Sequence, residues 1–381
     1  MERYAHIVGW GKYLPTKVLT NDDLAKMVDT NDAWIRERSG ISTRHIATKE
    51  TTASMALYAA QEAVENADIS PTEIDLVIVA TATPEHYFPA TACLVQDQLG
   101  AENAGAFDLE AGCSGFVYAL AVASAMIRSG VHNTVMVIGS ETLSRVVDWK
   151  DRGTCVLFGD GAGAVLLRGS DTYGGVLSTV LGSDGSGGEL LIIPAGGSKY
   201  PANLDTVTSN QHTIKMNGRE VYRFATRVMA EAAKQVIERA HLPMEEIDLL
   251  IPHQANIRII EYAAKALKLP PEKVFVNLER YGNTSAASIP IALCEAIEAQ
   301  RVNPGDHIVF VGFGAGLTWA AAAVEWTSPT IAPRASAQKV AQGKLRYTWA
   351  QVKSVGHRVF RHIDSGVSHV IDKFEGQKEQ T

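Results

Sequence analysis

The feature that most constrains the fold of this chain is an internal repeat. Residues 73–78, Glu-Ile-Asp-Leu-Val-Ile, recur at 246–251 as Glu-Ile-Asp-Leu-Leu-Ile, and each copy follows an amphipathic helical stretch and a proline-containing loop. Residues 158–167 recur more loosely at 313–322. Because self-similarity within a chain is the signature of repeated structural units, we predict two related halves. We place them at 1–172 and 173–326, with a linker and helical tail over 327–381.

The apolar runs of each half predict an α/β fold. Both halves read as a strand, a helix, an apolar strand, a glycine-rich turn, a helix of small residues and two closing strands. Runs such as 134–139 and 163–167 are apolar without alternation, which is typical of strands buried on both faces in mostly parallel sheets. With helices on both sides of each sheet, and the small-residue helices between the sheets, we expect a thiolase-like succession of five layers, αβαβα.

Composition excludes several classes of protein. The chain has 381 residues, of which 46% are hydrophobic and 20% charged, as in a soluble globular enzyme. Four cysteines without a Cys-x-x-Cys pair argue against disulfides and structural zinc, and favour a reducing compartment. No apolar run reaches eighteen residues, and residues 1–9 read as a strand rather than a signal peptide. We therefore predict a cytoplasmic protein.

The charge is divided unevenly along the chain. Residues 327–381 contain nine Lys/Arg and four Asp/Glu, so the tail carries +5 and the remainder −12 of the net −7. An acidic body disfavours nucleic acid as a partner. Several apolar tail residues fall on one helical stripe, with Lys353, Arg358 and Arg361 between them, although Gly356 and Gly366 weaken a continuous helix. The stripe consists of Leu345, Trp349, Val352, Val359, Ile363, Val367, Val370 and Phe374.

Three roles for this tail stay open. The helix can dock on the acidic surface of its own chain. Its basic and aromatic residues also suit the interface of a membrane. Docking of a partner protein is the third possibility.

One cysteine lies where an apolar strand meets a helix of small residues. Cys113 stands between Gly112 and Gly115, and glycines allow the backbone to approach a ligand closely. The free N–H groups and positive end of the helix are expected to lower the thiol pKa from about 8.5 toward neutrality. We predict that Cys113 is a nucleophile. The other three cysteines lie in apolar runs without flanking glycines and are expected to be small buried residues; they are Cys93, Cys155 and Cys294.

Two polar side chains follow apolar strands in the second half. His253 comes directly after Leu-Leu-Ile-Pro, and Asn283 lies in Asn-Leu-Glu-Arg-Tyr-Gly-Asn-Thr-Ser. The Asp-Leu-Glu before Cys113 parallels the Asn-Leu-Glu before Asn283, so the duplication places both turns at one central site. Cys113 then has two polar partners. A Cys-His-Asn hydrolase uses the same residue types with the histidine as a base.

These motifs together resemble the β-ketoacyl-acyl carrier protein synthase III family of the thiolase superfamily, over residues 1 to about 326. The resemblance rests on Gly-Cys-Ser-Gly-Phe, His-Gln-Ala-Asn, Tyr-Gly-Asn-Thr-Ser-Ala-Ala-Ser, Phe-Gly-Asp-Gly-Ala-Gly-Ala and Gly-Phe-Gly-Ala-Gly-Leu-Thr-Trp. It implies that an acyl-CoA acylates Cys113. Malonyl-acyl carrier protein then decarboxylates, and its enolate attacks the thioester to release CO2 and β-ketoacyl-carrier protein. Acyl-CoA is a substrate in this reaction, and no cofactor or metal is implied.

The resemblance also assigns residues to the reaction. The N–H groups of Cys113 and Gly314 would bind the oxyanion of acyl transfer. His253 and Asn283 would donate N–H groups to the enolate oxygen. The implied coenzyme A contacts are Thr30, Trp34, Arg38, Arg152 and Asn256. The implied cationic contacts for an acidic carrier protein are Arg223, Arg258 and Lys265.

Phe88 matches the position that, in this family, reaches into the acyl pocket of a partner subunit. A homodimer is therefore expected. Two other functions stay open at this point. A related acyltransferase or secondary-metabolism condensing enzyme uses the same Cys-His-Asn set, and a non-catalytic scaffold uses only the fold.

Overall fold

The computed structural model describes residues 2–328 together with Thr348, Trp349, Val352, Lys353 and Gly356. Thirteen strands are found among these residues. In chain order they are β1 (Tyr4–Tyr13), β2 (Val18–Thr20), β3 (Thr43–His45), β4 (Leu76–Ala80), β5 (Gly105–Leu109), β6 (Thr134–Glu141), β7 (Gly161–Ser170), β8 (Gly175–Ser183), β9 (Leu191–Ile192), β10 (Lys215–Met216), β11 (Ile247–Pro252), β12 (His307–Gly314) and β13 (Thr318–Glu325).

Residues 2–328 form ten α-helices and several short 3₁₀ turns, and the five described tail residues are also helical. In chain order the helices are α1 (Asn21–Ala25), α2 (Asp32–Ser39), α3 (Thr52–Ala67), α4 (Thr91–Leu99), α5 (Gly115–Arg128), α6 (Leu204–Thr208), α7 (Gly218–Arg239), α8 (Ile257–Ala266), α9 (Leu278–Tyr281) and α10 (Ser288–Glu298). Within the described part of the chain, no helix is both long enough and apolar enough to cross a membrane.

Two large sheets organise the molecule, and both are mixed. The first has the order β1-β7-β6-β4-β5, in which β6, β4 and β5 run parallel while β1 and β6 pair antiparallel with β7. The second has the order β11-β12-β13-β8 with one parallel pair, β11 and β12. The prediction of mostly parallel sheets is therefore wrong. The closing strands pair antiparallel in both sheets, β6 with β7 and β12 with β13. The sequence did not show this, because a run of buried apolar residues does not reveal the direction of a strand.

The two sheets repeat one arrangement around the duplicated segment. In the first copy, Asp75 accepts hydrogen bonds from the N–H groups of Asn133 and Thr134 (2.7 and 2.8 Å), at the start of β6. In the second, Asp248 accepts one from the N–H of His307 (2.9 Å), at the start of β12. In each sheet the repeated aspartate, Asp75 or Asp248, therefore holds the start of the neighbouring parallel strand in place.

Helices of small residues lie where the sheets meet. The ring of Phe116 on α5 packs edge-on against Phe310 on β12, with centroids 6.4 Å apart, and both side chains are fully buried. A Cβ atom on Gly139 of β6 would lie 2.2 Å from the carbonyl oxygen of Ala286, so only glycine permits this approach of the backbones. The close contact brings Ala286, in the turn before α10, against β6 of the first sheet.

The globular part closes on its own first strand. Trp326 is buried with its ring centroid 5.5 Å from that of Trp10. In the tail, Lys353 Nζ lies 2.5 Å from Glu102 Oε2, while Trp349 and Val352 are exposed. The other members of the predicted stripe, with Arg358, Arg361 and Gly366, lie outside the described residues.

Candidate active site

Cys113 lies in a 3₁₀ turn between β5 and α5. Gly112 has a positive φ of 53°, and a Cβ atom there would lie 2.7 Å from the amide nitrogen of Ala315. The hydroxyl of Ser114 donates to the Ala111 carbonyl (2.8 Å) and closes the turn. These contacts hold Cys113 at the N-terminal end of α5, as the sequence predicts.

Cys113 lines a cavity of about 230 Å³. The thiol residue is only 8% exposed, so the cavity is its route to solvent. Most of the walls are apolar, and they include Leu143, Val146, Phe158, Leu191, Ile193 and Ile214. Such a space suits an acyl chain better than a polar substrate.

The ionisation of Cys113 differs from the prediction. Burial, with a smaller contribution from the carboxylates of Glu141 and Glu110, raises the pKa of Cys113 to about 12, while the Ser285 hydroxyl works in the opposite direction. The expectation that the helix end lowers this pKa toward neutrality is wrong, because desolvation of the charged form dominates. Cys113 rests as a protonated thiol.

His253 follows the end of β11 and is 1% exposed. Its Nδ1 lies 2.7 Å from Ser288 Oγ, and its ring packs edge-on against Phe313, with centroids 5.4 Å apart. Its Nε2 is buried and has no hydrogen-bond partner within the described residues. Burial lowers the pKa of His253 to about 3, so the imidazole is neutral at physiological pH.

Asn283 is fixed by its backbone and by Ser285. Its N–H donates to the Leu157 carbonyl (2.8 Å), and its own carbonyl accepts from the N–H of Gly159 (3.0 Å). The side-chain Oδ1 accepts a hydrogen bond from the Ser285 N–H (2.8 Å). With Oδ1 engaged, Nδ2 is the donating end of this side-chain amide.

Glu141 is a functional candidate that the sequence reasoning missed. It ends β6 fully buried, and burial raises its pKa. Its carboxylate accepts hydrogen bonds from the hydroxyls of Thr81 (3.2 Å), Thr83 (2.5 Å) and Ser285 (2.9 Å). Glu141 thus anchors Ser285, which lines the cavity beside Cys113. The sequence signal for Glu141 was an acidic residue at the end of the otherwise apolar strand β6.

The end of β12 connects Cys113 with His253. A Cβ atom on Gly312 would lie 3.4 Å from His253 Cβ and 3.7 Å from the Cys113 carbonyl oxygen. A Cβ atom on Gly314 would lie 2.4 Å from the Cys113 amide nitrogen. The Cys113 and Gly314 backbones are therefore in contact, as a shared oxyanion site requires.

Four of the five residues implied for coenzyme A are linked by direct contacts. The guanidinium carbons of Arg152 and Arg38 lie 5.1 and 5.8 Å from the ring centroid of Trp34 on α2. Asn256 caps α8, and its Nδ2 donates to the Arg38 carbonyl (3.0 Å). Nearby in sequence, Thr30 has a buried hydroxyl without a partner in the described region.

The residues implied for a carrier protein lie on two packed helices. Arg223 on α7 pairs with Glu220 (3.0 Å), and Arg258 on α8 lies 3.7 Å from Glu37. Lys265 is exposed in the last turn of α8. All three cations are therefore on the surface, although two of them have acidic neighbours.

Phe88 does not contact the Cys113 cavity of its own chain. It is 86% exposed, beside Tyr87 at 79%, and it lines a separate groove of about 820 Å³. Ala82, Thr83 and Val146 line both the groove and the cavity, so the two spaces adjoin.

Two of the three remaining cysteines agree with the sequence analysis. Cys155 and Cys294 are buried, whereas Cys93 is exposed, so the prediction for Cys93 is wrong. Cys93 lies on α4, which covers the first sheet with one face only, and a short apolar run does not show which face its cysteine occupies.

Comparison with known proteins gives concordant matches. The family model described as 3-oxoacyl-[acyl-carrier-protein] synthase III matches residues 107–185, and the model of that family's C-terminal part matches 237–326. The β-ketoacyl-[acyl-carrier-protein] synthase III of Caldanaerobacter subterraneus is 53% identical, covering 85% of this chain and 98% of the relative. That of Desulfitobacterium hafniense is 55% identical, covering 84% and 97%.

A solved structure agrees with these relatives. The crystal structure of 3-oxoacyl-[acyl-carrier-protein] synthase III from Aquifex aeolicus matches with a TM-score of 0.79 and 50% identity, covering 84% of this chain and all of the other. One matched segment contains Cys113, and the other contains His253 and Asn283.

Proposed function

Because the chain belongs to the β-ketoacyl-[acyl-carrier-protein] synthase III family, we propose that Cys113, His253 and Asn283 are its catalytic groups. Membership makes it an acyltransferase that condenses an acyl-CoA with malonyl-acyl carrier protein and so initiates fatty-acid biosynthesis. One observation carries the assignment of these residues. Ser285 lines the cavity with Cys113 and holds the Asn283 side chain, while β12 lies against both Cys113 and His253.

In the first step the Cys113 sulfur attacks the thioester carbonyl of the acyl-CoA. A bond forms between Sγ and the acyl carbon, the bond to the coenzyme A sulfur breaks, and the thiol proton leaves with coenzyme A as its new S–H. The N–H groups of Cys113 and Gly314 stabilise the oxyanion. Because the resting thiol is protonated, attack and proton transfer must be coupled.

In the second step malonyl-acyl carrier protein loses CO2. The electron pair of the breaking C–C bond passes to the thioester oxygen, which accepts hydrogen bonds from His253 Nε2 and Asn283 Nδ2. The enolate carbon then attacks the acyl carbon, the bond from that carbon to Sγ breaks, and the departing Cys113 thiolate takes up a proton from solvent. Loss of one such donor typically raises a barrier by about 2.7–4 kcal/mol.

Labelling separates the two steps. We expect radiolabelled acyl-CoA to acylate the wild-type protein and not Cys113→Ala. His253→Ala and Asn283→Ala are expected to keep the acylation but to release CO2 from malonyl-acyl carrier protein about 100-fold more slowly. An undiminished adduct in Cys113→Ala, or wild-type CO2 release in both other variants, would overturn these roles. Formation of β-ketoacyl-carrier protein excludes an ester-forming acyltransferase and a non-catalytic scaffold.

We propose that Trp34, with Arg38 and Arg152, stacks the adenine of coenzyme A, with Thr30 and Asn256 along the same path. An aromatic ring beside two guanidinium groups supports this role.

The acidic carrier protein would bind to Arg223, Arg258 and Lys265. If so, Lys265→Glu raises KM for malonyl-acyl carrier protein and leaves KM for acyl-CoA unchanged; equal effects on both would contradict the assignment.

We propose that the protein is a homodimer in which Phe88 enters the partner's acyl cavity. The exposed Phe88 and Tyr87 rings, beside a groove that adjoins the cavity, support this arrangement. An apolar patch of this kind on a single chain is typical of an interface. A monomeric mass in analytical ultracentrifugation would contradict it.

We propose five layers, αβαβα, with halves at 1–172 and 173–326. Contacts of α5 and α10 between the two sheets support the layers, and the repeated aspartates support the duplication.

A cytoplasmic location is proposed from the four free cysteines and from substrates that are intracellular metabolites. Cell fractionation tests this location.

Contact of the tail with a membrane or a partner protein stays a proposal. Binding of the full chain to anionic vesicles tests the membrane contact.

A further inference from the structure

We propose that Ser288 is a positioning residue that fixes the tautomer of His253, so that the buried imidazole presents Nε2–H, and not a lone pair, to the enolate oxygen. This inference rests on the proposed role of His253 in decarboxylation. A neutral imidazole carries one proton on either of two nitrogens, and its surroundings decide which.

Two contacts of Ser288 Oγ support donation of its proton to His253. Ser288 Oγ lies 2.7 Å from His253 Nδ1, and both residues are buried. The N–H of Gln254 also points at Ser288 Oγ, at 3.5 Å. A backbone N–H can only donate, so the serine oxygen is the acceptor there. That contact does not use the hydroxyl proton, and Nδ1 is the one acceptor for this proton among the described contacts. In the proposed arrangement the imidazole proton is therefore on Nε2.

The rest of the ring's surroundings agree with this tautomer. His253 Nε2 is buried without a partner in the described part of the chain, as expected for a donor that awaits a substrate oxygen. No acidic side chain contributes to the lowered pKa of His253, whose cause is burial alone. The imidazole is therefore neutral, and it donates from Nε2 only if Nδ1 accepts. The opposite tautomer would place a lone pair against the developing negative charge.

The placement of Ser288 follows from a single short segment. Ser288 opens α10, directly after the 3₁₀ turn Ser285–Ala287. Ser285 holds Oδ1 of Asn283 through its N–H (2.8 Å), and Ser288, three residues later, holds Nδ1 of His253. The two donors proposed for the enolate oxygen are thus oriented by one turn of chain.

Nitrogen NMR of the full-length protein, with ¹⁵N-labelled histidine, reads the tautomer directly. The His253 signals are assigned by their absence in His253→Gln. We expect wild type to show a protonated Nε2 and a bare Nδ1. In Ser288→Ala we expect exchange between both tautomers, and in Ser288→Thr, which keeps the hydroxyl, a return to the wild-type pattern. A protonated Nδ1 in wild type, or an unchanged pattern in Ser288→Ala, overturns the proposal.

Kinetics supply the second readout. Loss of one hydrogen bond to a neutral group is expected to lower kcat for decarboxylation about tenfold, with KM for malonyl-acyl carrier protein and the extent of Cys113 acylation unchanged. Ser178→Ala is the matched control: it removes a serine hydrogen bond of similar length (2.6 Å) to the Val236 carbonyl, outside the cavity. Equal losses in both variants would indicate a general structural effect and overturn the proposal.

The two readouts keep this proposal apart from the function on which it rests. If wild type forms no β-ketoacyl product while the tautomer pattern responds to Ser288 as expected, the proposed function fails and the tautomer assignment stands. If the product forms and the tautomer does not respond, only the inference about Ser288 fails.

Discussion

At the scale of single residues, burial decides the chemistry of the site. Cys113 and His253 are both held neutral because the charged form of each would lose its hydration. Glu141 is also raised in pKa by burial, although four hydrogen bonds from Thr81, Ala82, Thr83 and Ser285 oppose that shift. Cys113 and His253 therefore do not form a thiolate–imidazolium ion pair. Ser285 lines the cavity with Cys113, and burial leaves both Cys113 and His253 uncharged.

A protonated resting thiol predicts a particular pH dependence. Because Cys113 has a raised pKa, its thiolate fraction grows about tenfold for each pH unit up to that pKa. We expect the rate of alkylation of Cys113 by iodoacetamide to rise steadily between about pH 6 and 9. The measurement uses mass spectrometry of the Cys113 peptide in a Cys93→Ala background, since Cys93 is exposed. A plateau beginning below about pH 8 would show that the helix end outweighs burial.

At the scale of elements, the site is built from turns at the ends of buried strands. Cys113, His253 and Gly314 lie at or just after the ends of β5, β11 and β12. The turn before α10 supplies Ser285, and the first residue of α10 is Ser288. These turns approach one another more closely than side chains allow, so glycine is required at the contact. β12 is hydrogen-bonded on both sides, to β11 and β13, whereas β5 and β11 are edge strands whose registers are set by one parallel neighbour each, β4 and β12.

Gly314 tests this geometry. A Cβ atom there would lie 2.4 Å from the Cys113 nitrogen and 3.1 Å from the Ser114 nitrogen, so Gly314→Ala must push the two backbones apart. We expect acylation of Cys113 to slow at least about 100-fold, as for loss of an oxyanion donor. Gly185→Ala is the control, because a Cβ atom on Gly185 has no neighbour within 4 Å. Normal acylation in Gly314→Ala would exclude a shared oxyanion site.

At the scale of the whole molecule, the first strand contacts both α10 and the end of the described globular part. Lys12 Nζ on β1 lies 2.6 Å from Glu298 and 3.5 Å from Glu295 on α10. The hydroxyl of Ser328 donates to the Ile7 carbonyl, and that of Thr327 lies 2.7 Å from His6 Nδ1. The described globular part therefore ends against the strand with which it began.

This closure predicts where the chain can be shortened. A chain ending at Ser328 keeps the Ser328–Ile7 and Thr327–His6 contacts. We therefore expect its free energy of unfolding to lie within about 1 kcal/mol of the full-length value. A chain ending at Glu325 loses Trp326, which is 1% exposed against Trp10, and should be less stable by about 3–5 kcal/mol. Urea unfolding measures both. Equal stability of the two shortened chains would contradict this account of the closure.

The sequence by itself determined the repeat, the placement of Cys113 at the start of a helix, and the family. All three depend on local patterns: apolar runs, glycines beside a cysteine, and motifs of a few residues. Tertiary structure alone decided the direction of the closing strands, the protonated state of Cys113, and the partnership of Glu141, Ser285 and Ser288 with the site. The physical reason is that ionisation depends on burial, and burial and orientation are set by segments distant in sequence, such as β6 and α10, which meet only when the two sheets pack.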